Sequence, residues 1–453
     1  MEFGIDKCAV VNIVKGQIIQ SEGIQLPDEK TMKDIGETSY KYLGILEDGS
    51  IKHEEMKVNI RKEYFSRLRA VLKSKLNGGN IVKAINTWAV PVVRYSGGIV
   101  DWTKEDVENM DRKTRKLMTI HRALHPRSSV ARLYLPRKSG GRGMQSIEDC
   151  INIEKRALGQ YLKHNEDTWL KTAWKEKLIR VDEEPEMYKE RVTSQRKEDW
   201  ENKQMHGQYQ RQTREVASEG SWQWLTRGEL KKETEGMLMA AQEQALRTRY
   251  IQNKIDGQIS ISPMCRKCNK KVETINHIIS ECPALAQREY KGRHDTVAKA
   301  LHWKICKEYD LPSTEKWYNH IPDKVLENEK IKILWDYDVR TDHVIQARRP
   351  DLILVQKETK KVSLIDVAIP WDSRVEDKSK EKIEKYQDLK MELRRLWQAE
   401  VEVVPIILGA LGVIPKDLRR NLEKIGCIKL APGLLQKSVM LATARIIRRV
   451  LDS

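Results

Sequence analysis

The chain has 453 residues, 33% of them charged, and its 83 Lys+Arg against 66 Asp+Glu give a net charge of +17. That length allows roughly two to four domains with their own cores. The basic balance, with a pI near 9.3, points to a polyanionic partner, nucleic acid by default. No run of about 18 apolar residues occurs, so neither a transmembrane helix nor a membrane partner is expected. The first residues, Met1 to Lys7, lack the basic-then-apolar layout of a secretory signal. Seven cysteines in so long a chain, three of them clustered, argue against a secreted disulfide scaffold. A reducing compartment is expected, and the basic charge is compatible with the nucleus, although no compact Lys/Arg block marks a targeting signal.

Residues 1–50 read as short strands and turns, with β-type runs at Ala9–Val14 and at Tyr40–Ile45, the second ending at Asp48-Gly49. From about residue 55 the period becomes helical. Ile60, Tyr64, Leu68, Leu72 and Leu76 recur every four residues, and Asn77-Gly78-Gly79 is the expected stop. More helices are expected to about residue 135, before the glycine-rich Lys138–Gly143. Residues 161–260 read as a polar helical linker carrying Trp169, Trp174, Trp200, Trp222 and Trp224. Within it, Arg191 to Gln212 is either a solvated helix or a mobile connection. Aromatics among basic residues can stack on bases, but packing onto neighbouring helices is the more common use.

Cys265-x2-Cys268-x8-His277-x4-Cys282 gathers three cysteines and a histidine within eighteen residues. A Cys-x2-Cys turn grips one tetrahedral zinc with two thiolates, and a helix starting near Glu273-Thr274 can return His277 and Cys282. Four protein ligands leave no open position, so Zn2+ here is structural, replacing a core in a segment of about 261–310. The competing reading is thiols packed in a core. Cys8, Cys150, Cys306 and Cys427 are isolated and read as buried.

The last 120 residues alternate in class. Lys332–Trp335, Asp351–Val355, Leu364–Ile369 and Val401–Leu408 are strand candidates, with a helix over Glu376–Trp397 between the last two. That order makes an α/β unit over 325–453 in which the helix is the crossover of a parallel pair. The expected fold is therefore multidomain α+β: a mostly helical N-terminal two thirds, a small zinc knuckle and a C-terminal α/β domain.

Asp351 and Asp366 each interrupt an apolar strand run. An unpaired buried carboxylate costs several kcal/mol, and two of them on adjacent strands are a common way to hold a divalent cation such as Mg2+. A metal-dependent nuclease also needs a cation near the scissile phosphate. Restriction-type enzymes often place a lysine two residues after the second acid, where this chain has Ala368. Lys382, Tyr386, Leu389, Leu393 and Leu396 step by four, three, four and three along one helical stripe, with Lys385 at its edge. The leucines turn that stripe inward, so Lys382 and Lys385 can replace the missing lysine; snorkelling along the surface is the other reading.

Taken together, Arg349-Pro350-Asp351, Ile365-Asp366-Val367 and Lys382-x2-Lys385-Tyr386, preceded by the Cys-Cys-His-Cys cluster and Arg293-His294-Asp295, resemble the C-terminal part of non-LTR retrotransposon polyproteins that carry a restriction-like endonuclease. The resemblance implies Mg2+ ligands at Asp351 and Asp366, with Lys382, Lys385 and Tyr386 completing the catalytic set. It implies a zinc knuckle contacting target DNA or template RNA, with Arg293, His294, Arg348 and Arg349 on the nucleic-acid path. Upstream, Phe3–Lys7 and Tyr42-Leu43-Gly44 are similar to the last palm motifs of a reverse transcriptase, and residues 51–160 then sit where the thumb would be. No Asp-Asp dipeptide of a polymerase palm occurs, so the expectation is a chain that begins after the catalytic palm and does not polymerise. The function so implied is a DNA endonuclease that nicks double-stranded target DNA to prime reverse transcription. A nucleic-acid-binding remnant without catalysis is the alternative.

Overall fold

A computed structural model describes residues 8–27, 30–35, 40–48, 50–176, 183–342, 344–427 and 432–452. The chain forms two compact units. The first comprises Met1–Lys75, Asn80–His121 and Gly143–Gln195; the second comprises Leu76–Gly79, Arg122–Arg142 and Arg196–Ser453.

The first unit begins with three short antiparallel ladders, Asn12–Val14 with Gln17–Ile19, Ile24–Gln25 with Thr31–Met32, and Tyr40–Tyr42 with Ile45–Glu47. Leu43-Gly44 forms the turn of the last, both residues in left-handed backbone with φ of 46° and 87°. The Phe3–Lys7 motif lies outside the described residues. Helix His53–Lys73 buries Ile60, Tyr64, Leu68 and Leu72, as their four-residue spacing requires. It stops at Ser74, earlier than expected, and Leu76 is exposed. Gly78-Gly79 opens the next helix, Gly78–Ala84, instead of ending this one. The buried Asp111 carboxylate caps helix Ile147–His164, accepting from Ser146 Oγ and the amides of Ile147 and Glu148.

The second unit is built on one five-stranded sheet. Its strands are β1 (Val325–Glu327), β2 (Ile331–Trp335), β3 (Leu352–Gln356), β4 (Lys361–Ala368) and β5 (Glu400–Ile407). Four of these match the expected runs; β1 was missed because it is a short edge strand whose side chains are mostly exposed. The order is β5-β4-β3-β2-β1, antiparallel except for the parallel β4–β5 pair. The crossover between β4 and β5 consists of two helices, α2 (Val375–Lys385) and α3 (Gln387–Trp397), interrupted at Tyr386 with φ −105° and ψ 15°. A single helix over Glu376–Trp397 was expected, and the break is the correction. Leu396 is also corrected, being exposed and off the inward stripe.

Both faces of the sheet are covered. Leu334, Ile353, Val362, Leu364 and Val403 pack against Tyr386, Leu389 and Leu393 of the crossover. Ile333, Leu354, Ile365, Val367 and Ile406 pack on the opposite side against Val297, Leu301, Ile305, Leu422, Leu435 and Val439. Those residues come from helices Lys291–Glu308, Leu418–Lys424 and Pro432–Leu451. Burial on both sides explains why the strands read as continuous apolar runs and not as alternating ones. Helix Lys291–Glu308 thus belongs to the sheet layer, which shortens the segment expected as 261–310.

The expected boundaries at 51–160 and 161–260 also change. Arg122–Arg142 sits in the second unit, where Arg142 and Arg132 are buried against Glu235 and Glu243. From Arg196 onward the polar stretch is no linker: Trp200, Tyr209 and Trp224 are almost fully buried, and Tyr209 and Trp224 join a core with Trp371 and Met440. At its centre Asp372 accepts from Tyr209 OH at 3.0 Å and from the amides of Leu411 and Val413 at 2.8 and 2.9 Å. Burial pushes its carboxyl up to about 6 against the pull of these donors. Gly409 is needed beside it, because a Cβ there would collide with Asp372 Oδ1. Asp372→Ala strands the two buried amides, while Tyr209 OH keeps the Leu411 carbonyl at 3.2 Å, and should lower the unfolding free energy by about 3 kcal/mol. Asp372→Asn keeps one acceptor oxygen and should cost less; equal denaturant midpoints for the two variants would refute this account.

Candidate functional site

The β3–β4 register pairs Leu352 with Ile365. The ladder ends at that pair; extending its register by one step sets Asp351, just before β3, against Asp366 on the same face of the sheet. The two aspartates therefore stand at the same end of the hairpin, fifteen residues apart in sequence. Asp366 is almost fully buried, whereas the Asp351 side chain retains 22% exposure.

Each carboxylate is held differently. Asp351 Oδ2 accepts from the Val367 amide at 2.7 Å and contacts His294 Nε2 at 3.0 Å. Among the described residues its Oδ1 accepts no hydrogen bond. Asp366 Oδ1 accepts from Tyr386 OH at 2.5 Å, and Lys382 Nζ stands 2.5 Å from Oδ2. That second contact is an ion pair without hydrogen-bond alignment, so Oδ2 is buried with no donor aimed at it. Lys385 Nζ donates to Tyr386 OH at 3.0 Å, lies 4.6 Å from the Tyr386 ring centre and is 3.9 Å from Asp366 Oδ1. The break between α2 and α3 lets one segment deliver the lysines while Tyr386 is packed under the sheet. Burial and the facing Asp366 charge push the Tyr386 phenol well above its usual range, so it stays a hydrogen-bond donor.

His294 was expected on a nucleic-acid path, and instead its ring bridges Asp351 and Asp295. Burial lowers its imidazole, but hydrogen bonds and charge from Asp351 and Asp295 outweigh burial and hold it up at about 9. Arg293 is a correction. It is buried, donating to Thr443 Oγ1 and to the carbonyls of Ile279 and Ile369, so its guanidinium is spent inside the fold. Arg348 and Arg349 are about half exposed, paired with Asp338 and Asp336 respectively, and the Arg349 carbonyl accepts from Tyr386 OH at 3.3 Å.

The four cluster residues do converge. Cys265 Sγ and Cys282 Sγ are 3.9 Å apart, Cys268 Sγ and His277 Nε2 are 3.3 Å apart, and all four donor atoms lie within 4.8 Å of one another. Zinc–sulfur bonds of about 2.3 Å in a tetrahedron put sulfurs about 3.8 Å apart, so the set can hold a metal ion such as zinc. The amides of Lys267 and Lys270 donate to Cys265 Sγ and Cys268 Sγ. Burial opposes ionisation of Cys268, but amides of Lys270 and Lys271 and the neighbouring thiols lower its pKa. Thr274 Oγ1 accepts from the His277 amide and starts the helical turn that carries His277, as expected near Glu273-Thr274. Groups of three or more His, Cys, Asp or Glu donors this close number two among the described residues, this set and His302, Cys306 and His320. Asp351 and Asp366 belong to neither group, so among the described residues no third donor stands this close to both. Cys306 had read as isolated, although its place four residues after His302 was a legible signal.

The chain matches no protein family model and no curated protein. Function is therefore argued from the site itself.

Two outcomes follow. The His294 value in the fold lies above the ordinary 6.5, so stability from its pairing is complete below 6.5 and fades as pH rises through about 9. Without added divalent ions, the thermal midpoint of the parent should drop over that window while His294→Gln stays level; parallel profiles would contradict the assignment. Cys268→Ser should carry one equivalent less bound zinc than the parent, with a lower thermal midpoint, measured by elemental analysis and calorimetry.

Proposed function

We propose that the second unit is a metal-dependent DNA endonuclease of the restriction-like kind carried by non-LTR retrotransposon proteins. It nicks double-stranded target DNA, leaving a 3′-hydroxyl from which reverse transcription on template RNA is primed. The observation that carries this reading is Asp351 and Asp366 at one end of the β3–β4 hairpin, with the Lys382 ammonium against Asp366. Both carboxylates fit a divalent cation. Asp351 keeps one oxygen without a hydrogen bond, and buried Asp366 Oδ2 faces a cation without a directed donor. Asp351 and Asp366 would hold Mg2+, which supplies Lewis-acid activation of the phosphodiester and of the attacking water.

The protein groups have separable tasks. The His294 and Val367 contacts orient the Asp351 carboxylate, and Tyr386 OH orients Asp366. Lys382 and Lys385 supply positive charge where the scissile phosphate gains negative charge, a role that many restriction enzymes give to the position occupied here by Ala368. Half-exposed Arg348 and Arg349 can exchange their aspartate partners for backbone phosphates. In this reading the Cys265 set holds structural Zn2+ and presents exposed Lys267, Lys270 and Lys271 to DNA or RNA.

A second reading, a nucleic-acid-binding remnant, is favoured by one observation: Lys382 neutralises Asp366 internally and, among the described residues, no third close donor joins the two aspartates. Mn2+ affinity of Asp366→Asn against the parent separates the two, equal affinity favouring the remnant. For the endonuclease, the chain should nick supercoiled DNA with Mg2+ or Mn2+. Asp351→Ala and Asp366→Asn should each lose roughly 100-fold or more, and Lys382→Ala about as much. A parent that nicks no better than Asp351→Ala would sink the proposal.

A further inference from the structure

Helix Lys291–Glu308 places His302 and Cys306 one turn apart on its sheet-facing side, where both are fully buried. The chain then returns through the short turn Trp317–Asn319 and delivers His320, which is 5% exposed, to the same point. His302 Nδ1 lies 2.7 Å from His320 Nε2 and 3.5 Å from Cys306 Sγ, and all three donor atoms lie within 4.8 Å of one another. The Trp335 ring closes the cluster edge-on, 5.5 Å from the His302 ring at 89°.

Ordinary hydrogen bonding accounts poorly for this arrangement. An imidazole nitrogen has one direction to offer, a single N–H or a single lone pair. Here an imidazole and a thiol both converge on His302 Nδ1, while His302 Nε2 is buried with no hydrogen-bond partner among the described residues. All polar contacts of that ring are thus crowded onto one nitrogen. A cation lets three lone pairs point at one centre without competing for a proton. The donor set also selects the cation. It contains no carboxylate or carbonyl, so Mg2+ and Ca2+ are disfavoured, while two imidazoles and a thiolate suit a borderline or soft ion. Metal–nitrogen bonds of about 2.0 Å and metal–sulfur bonds of about 2.3 Å place a nitrogen and a sulfur about 3.5 Å apart and two nitrogens about 3.3 Å apart. The His302–Cys306 pair stands at that spacing, and the two imidazoles, at 2.7 Å, part slightly to admit the ion.

We propose that His302, Cys306 and His320 form a second metal site, distinct from the Cys265 set, that takes a closed-shell cation, Zn2+ or Cu+. Binding displaces the Cys306 thiol proton to solvent and forms one sulfur–metal and two nitrogen–metal bonds, with no change of oxidation state. Its role is structural: it fastens the segment between Leu311 and His320 to the helix, just before the sheet begins at Val325.

The test uses the whole chain purified without chelators. Zinc content is measured for the parent, Cys306→Ser, His320→Gln and Cys268→Ser. Two equivalents in the parent, and one fewer in each variant, is the expected result. A second arm adds Cu+ anaerobically against a competing chelator in the Cys268→Ser background; uptake lost with Cys306→Ser identifies copper as the preferred ion. His320 lies on a turn, so His320→Gln is read even if Cys306→Ser does not fold. Equal zinc content and equal Cu+ uptake in the parent and His320→Gln would overturn the proposal.

Discussion

A carboxylate on a strand buried from both sides must be answered by positive charge, and the second unit is organised around that demand at Asp366. Its strand is sealed by Leu389 and Leu393 on one face and by the Pro432–Leu451 helix on the other. Water cannot screen the charge there, so the unpaired group would cost several kcal/mol. Lys382 and Tyr386 answer it from the crossover helices, and this fixes where those helices must lie over the sheet. Asp351 is drawn to the same end by the hairpin register, with His294 approaching from the other helical layer. One sheet end thus gathers contributions from both layers of the unit.

Much of this was legible in the residues. Strands buried on both faces are long apolar runs, so β2 to β5 stood out, and an aspartate in such a run is conspicuous. The Cys-x2-Cys turn with a returning histidine was equally plain, because ligand spacing is local. Lys382 and Tyr386 were found by helical periodicity even though the helix breaks between them, since Tyr386, Leu389 and Leu393 still face the sheet. Leu396 was misassigned because periodicity cannot show where a helix outruns the surface that covers it.

Other features were hidden because they depend on distant segments. Nothing local marks Arg293 as buried; its partners Thr443 and Ile369 are contributed by remote parts of the chain. Asp372 likewise gains its meaning from Tyr209 and the Leu411–Val413 turn. The polar composition of 161–260 suggested a linker, yet from Arg196 onward a few buried aromatics, Trp200, Tyr209 and Trp224, anchor it. Large rings contribute enough apolar area to anchor a segment that is otherwise hydrophilic.

The interruption at Tyr386 has a mechanical consequence. The segment after it is anchored by Leu389 and Leu393, whereas the Val375–Lys385 segment before it buries only Val375 and Ser379. The two halves are therefore unequal in local stability, and the weaker one bears the ammonium that faces Asp366. Tyr386 marks the boundary between them: its phenol is seated against the sheet, and the arm before it is held over Asp366 by charge. The charge that answers Asp366 is thus carried by the less deeply buried half, and the packing that holds the sheet together by the other.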